Sequence, residues 1–219
     1  MSSNSKQETI SGIDRDILER FLDLLRDKYH LADEANFFLE KNAHLSGINI
    51  AITNQRDVVS HLITLLTQEN LSHDQQAAQL GNAEEHIRRA ILEPYELTVN
   101  AASKNVLDLV KTYKKIVLPI RNEPGLTSGP DVTNIYARLR EIDEHREQGR
   151  AAKRMNLWNS EWENGSKAFV DAFYKLKELE ITLEKYIIRA KQIRENRRNR
   201  LRWKFGIILA IIFGLIATL

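Results

Sequence analysis

The chain has 219 residues, enough for one domain with an appendage and for a core that needs no covalent staples. It has no cysteine, which excludes a disulfide framework and a thiolate zinc site; only four prolines and nine glycines, amid abundant Leu, Ala, Glu, Lys and Arg, favour helix over strand. The net charge of +2 is unevenly placed: residues 189–204 (RAKQIRENRRNRLRWK) hold eight Lys or Arg against one Glu, a local +7 that leaves the rest at −5. A basic balance confined to one segment argues against a nucleic-acid-binding body, whose positive charge would lie on the folded domain.

Residues 1–12 (MSSNSKQETISG) are polar and lack the apolar stretch of a secretory leader, so a disordered lead-in is expected there. From Ile13 to about Asn42, apolar residues recur at helical spacing, and Gly47 marks the stop. Ser46 caps a second helix running to about Glu69, with Ile48, Ile52, Val59, Leu62, Ile63 and Leu66 as its apolar stripe. Ser72 with Gln75 forms a capping box for a third helix, expected over 73–118 and bent at Pro94. The stretch PIRNEPGLTSGPD, 119–131, holds three of the four prolines and reads as a loop; Asp131 or Ser128 then caps a fourth helix to about Asn156. WNSEWENGSK, which contains Gly165 and follows Gly149, interrupts or loosens the backbone before the last element.

That last element is the most regular. Phe169, Ala172, Leu176, Leu179, Leu183, Tyr186, Ala190 and Ile193 follow steps of three and four, a heptad seam over 167–193 that serves either the bundle itself or self-association. The basic collar 189–204 follows, then Phe205–Leu219, with no charged side chain. A soluble helix that is apolar all round demands burial on every side, so the preferred reading is a single-pass membrane segment over 205–219. Fifteen residues span only about 22 Å against a hydrocarbon core of about 30 Å, so Arg202 and Lys204 must snorkel or the bilayer thin. Trp203 sits at the interface, Phe205 opens the span, and Gly206, Ala210 and Gly214 form a small-residue stripe for close helix approach. The positive-inside tendency keeps the collar and the bundle, residues 13–188, cytoplasmic, at an inner membrane if the host is bacterial. The fold class expected is all-α: a bundle of four to five long helices whose last helix continues into one C-terminal transmembrane segment.

Signatures for nucleotide binding, zinc proteolysis and serine hydrolysis are absent from the sequence, and no metal or cofactor is expected. Two stretches carry chemistry. RDVVSH holds Arg56 and His61, an imidazole of a type that titrates near neutrality with a guanidinium nearby that can hold a phosphate. NAEEHIRRAILEPYE concentrates Glu84, Glu85, His86, Arg88 and Arg89 just before Pro94, the first place to look for a ligand or partner site.

RDVVSH resembles the Arg-(polar)-x3-His motif of the HEPN ribonucleases, which implies metal-independent RNA cleavage at a site shared by two protomers. The layout of helical domain, heptads, basic collar and short terminal span resembles small membrane accessory and effector proteins of RNA-targeting CRISPR and related antiviral defence systems. That resemblance implies a homo-oligomer that permeabilises or depolarises a bilayer with anionic headgroups, on a protein or RNA trigger. The rival expectations are a membrane-tethered HEPN-type ribonuclease and a passive tail-anchored adaptor.

Overall fold

A computed structural model describes residues 12–43, 48–156 and 162–217, with side chains described except at 48–51 and 214–217. Among these residues the chain is all-helical. Helix α1 (Arg15–Asp23) passes through a π-helical turn (Leu24–Lys28) into α2 (Tyr29–Ala43); α3 (Ile48–Thr67) and the long α4 (His73–Ile116) follow. A short 3-10 turn (Leu118–Ile120) leads through loops to α5 (Val132–Ala152), and α6 (Glu163–Ala217) closes the chain. Ser46, Gly47, Trp158 and all of the lead-in except Gly12 lie outside the described residues.

The expected starts of α4 and α5 are present as capping geometry. The Ser72 backbone N–H donates to Gln75 Oε1 at 2.9 Å and the Gln75 N–H to Ser72 Oγ at 3.3 Å, the reciprocal pair of a capping box. Asn134 N–H donates to Asp131 Oδ1 at 2.7 Å, which identifies Asp131 as the cap of α5. Pro94 lies within α4 without ending it. The fourth helix ends at Ala152, four residues short of the expected Asn156, and Gly149 and Gly165 lie inside α5 and α6 instead of loosening a loop.

The residues expected as one bundle divide into two compact units. The first comprises Met1–Ser103 and Arg140–Lys175, the second Lys104–Leu139 and Leu176–Leu219. The first unit's core joins Ile13, Ile17, Phe21 and Leu24 to Val58 and Leu65 of α3, to Leu80, Ala83 and Ile87 of α4, and to Trp162. Glycine lets α5 and α6 approach closely here: a Cβ on Gly149 would stand 2.7 Å from the Phe169 ring, and one on Gly165 would overlap the Ala152 methyl. On α3 the expected apolar stripe is only partly the buried face. Val58, Leu65, Asn54 and Gln55 turn inward, whereas Ile52, Val59, Ile63 and Leu66 are exposed. The physical reason is polar pairing: Gln55 donates to Asp33 at 2.8 Å and Asn54 to Glu93 at 3.4 Å, so amides occupy positions that periodicity assigns to apolar groups.

In the second unit Val106, Val110, Tyr113, Val117, Leu126, Ile135, Leu179 and Leu183 are buried. Tyr113 Oη donates to the Pro130 carbonyl at 2.7 Å, tying the loop to α4. Arg194 of α6 donates to the Lys115 and Ile116 carbonyls at 3.3 and 2.9 Å, satisfying acceptors that the end of α4 leaves open.

Candidate functional site

The two stretches singled out in the sequence meet across α3 and α4. The His61 and His86 rings stack with centroids 5.4 Å apart and planes at 28°. Each Nδ1 faces a side-chain amide oxygen, His61 that of Gln79 at 2.6 Å and His86 that of Asn54 at 3.2 Å. An amide oxygen only accepts, so in the neutral rings Nδ1 carries the proton and Nε2 keeps the lone pair needed for proton transfer. Asp57 adds a carboxylate 3.8 Å from His86 Nδ1.

Arg56 does not join this pair. Its side chain is 75% exposed and its nearest acidic partner is Asp57 at 3.7 Å, so it stands on the outer face of α3 while His61 turns toward α4. The other members of the acidic and basic cluster are ion-paired or hydrogen-bonded within the chain. Glu84 takes Arg20 of α1 at 2.8 Å, Glu85 takes Arg89 at 2.5 Å, and Arg88 donates to the Met155 carbonyl at 2.7 Å. Of the five residues, His86 is the one that meets His61 of the other stretch.

Two further constellations escaped sequence reasoning because they join distant segments. Asp14, Asp16 and His73 bring their ligand atoms within 4.8 Å of one another, with His73 Nδ1 to Asp14 Oδ2 at 2.6 Å. The Asp14 hydrogen bond raises the His73 pKa above its ordinary value, and the contact ties the start of α1 to the start of α4. The Lys28 ammonium lies 4.9 Å from the Trp162 ring centroid and pairs with Glu163 at 3.0 Å. No sequence signal foretells the π turn that ends at Lys28, although such turns often accompany functional sites.

The heptad residues Phe169, Ala172, Leu176, Leu179, Leu183 and Ala190 are buried, and Tyr186 and Ile193 are half-buried, so this face packs within the chain. The end of α6 is the opposite case. Every residue from 194 to 213 is exposed, including Leu201, Arg202, Trp203, Lys204, Phe205, Gly206 and Ala210, and nothing in the chain approaches a Cβ placed on Gly206. Gly214 is helical, with its surroundings outside the described side chains. Among the described residues no helix is long and apolar enough to cross a membrane. The run from Phe205 has Arg200, Arg202 and Lys204 immediately before it, which shortens any uncharged stretch.

No family model matches the chain, and no curated protein and no solved structure is significantly similar to it.

Proposed function

We propose that the protein is a membrane-associated helical effector whose α6 terminus enters a bilayer and whose copies gather there to permeabilise or depolarise it. The observation that carries this reading is the run of large apolar residues on α6 from Phe205 to Phe213, exposed on every side of the helix while the heptad face before it is buried. Water solvates such a surface poorly, and lipid is the solvent that accepts an apolar helix all round. Eight cations precede it and suit anionic headgroups at about 1 kcal/mol each. The apolar run is short, so it enters one leaflet and thins or perturbs the other; Gly206, Ala210 and Gly214 offer a stripe along which several copies can associate. A bacterial inner membrane, with the N-terminal helices on the cytoplasmic side, and a place in antiviral defence are the setting that the layout supports. A voltage-sensitive dye should report depolarisation in cells expressing the whole chain and none in cells expressing residues 1–202. Equal depolarisation by both would refute the reading, and membrane recruitment without depolarisation would leave the adaptor.

A second reading is favoured by the His61–His86 stack, which gives a membrane-tethered ribonuclease two proton-transfer groups with free Nε2 atoms. Arg56, on the outer face, would then serve a site completed by a second copy. Purified protein should cleave single-stranded RNA without metal, and His61→Ala should abolish cleavage. RNA left intact at high protein concentration excludes this reading.

A further inference from the structure

One cleft of the first unit lies beside α4 at Tyr95, the residue after Pro94. Its volume is about 280 Å³, a size suited to a small molecule. Leu31 and Ile91 give it apolar lining; Glu34, Tyr95, Trp162, Glu163 and Ser166 give it function. The π turn feeds directly into α2, which supplies Leu31 and Glu34, while α4 supplies Ile91 and Tyr95, Trp162 stands just before α6, and Glu163 and Ser166 lie at its start.

Trp162 is 1% exposed, and its indole N–H is buried with no acceptor among the described residues. Buried donors are nearly always paired in native proteins, so an orphan donor on a residue that lines a cleft suits an acceptor brought by a ligand. The chain also displays how this corner treats a cation. Lys28 sets its ammonium over the Trp162 ring and against Glu163, an aromatic face with a carboxylate beside it. Tyr95 and Glu34 line the same cleft and so offer it a second aromatic ring and a second carboxylate. Glu34 acts on the Tyr95 hydroxyl, whose pKa is raised by burial first and by that carboxylate second, and no Lys or Arg among the described residues forms an ion pair with Glu34. Phe38 packs against the Tyr95 ring with centroids 5.0 Å apart, which fixes the ring's position.

We propose that this cleft binds a small organic ammonium ion bearing a hydroxyl or carbonyl oxygen. The cation sits between the Glu34 carboxylate and the Tyr95 ring, and the oxygen accepts the Trp162 N–H. Carboxylate and ring quadrupole both favour positive charge, and the indole donor selects ammonium ions with an acceptor over those without one. The inference goes beyond the membrane reading and stands independently of it.

The test is calorimetric titration of the full chain in detergent with choline, tetramethylammonium and acetate. Choline should bind saturably, tetramethylammonium about tenfold more weakly, and acetate not at all. Trp162→Phe keeps the ring and removes the N–H; it should bring choline down to the level of tetramethylammonium. Glu34→Gln, at an exposed position, should weaken both cations about tenfold without changing the thermal transition. Absence of saturable choline binding overturns the proposal. So does Glu34→Gln binding that equals the parent's, or a preference for choline that survives in Trp162→Phe.

Discussion

Glu96 shows how a single carboxylate can hold two elements. Burial pushes its pKa up, but hydrogen bonds from Lys153 and Arg150 outweigh burial and leave it below the ordinary carboxylate value. A depressed carboxylate contributes stability that is present above its unfolded pKa and lost as pH falls through the folded value. Glu96→Gln should therefore cost about 1–2 kcal/mol at pH 7, measured by denaturant unfolding, and much less at pH 3. His73 has the opposite sign. Its raised pKa means the Asp14 contact is fully present below the unfolded value and fades as pH rises through the folded one. NMR titration should show the His73 ring titrating at higher pH in the parent than in Asp14→Asn. The two proteins should differ in stability at pH 6 and converge at pH 9.

Among the elements, what was legible in the sequence was local. The Ser72–Gln75 box and the Asp131 cap act over three residues, and the heptad spacing of Phe169 to Ile193 acts over a few turns, so composition and order suffice to place them. Pairings between distant segments were not legible. Arg56 and His61 share a motif, yet side-chain direction on a helix separates them, and His61 finds Gln79 and His86 on α4 instead. The stripe of α3 was misjudged for the same reason, because the partners of Asn54 and Gln55 lie on other helices. Glycines make the point experimentally. Gly81 of α4 is exposed with nothing within 4 Å of an added Cβ, so Gly81→Ala should raise stability by about 0.5–1 kcal/mol. Gly165→Ala, where the methyl meets Ala152, should lower it by about 1–3 kcal/mol. Thermal unfolding of the two variants separates a glycine that merely weakens a helix from one that lets two helices touch.

For the whole molecule, charge and apolar surface are concentrated in one terminal segment. Flotation with vesicles should recover the full chain with anionic lipid at 0.1 M salt and less of it at 0.5 M, whereas residues 1–202, which keep most of the collar but lose the apolar run, should be recovered weakly at 0.1 M and hardly at all at 0.5 M, since screening weakens the collar but not the apolar insertion. The continuity of α6 adds a constraint of phase. At about 100° per residue, the azimuth of the small-residue stripe is locked to that of the buried face carrying Leu183 and Ala190, for there is no break in the helix between them. An inserted heptad of helix-forming residues after Asn199 would turn the tail by only about 20° from its original bearing, whereas five residues would turn it by about 140°. If copies meet along one bearing, the heptad insertion should preserve depolarisation and the five-residue insertion should abolish it, with both still recovered on vesicles.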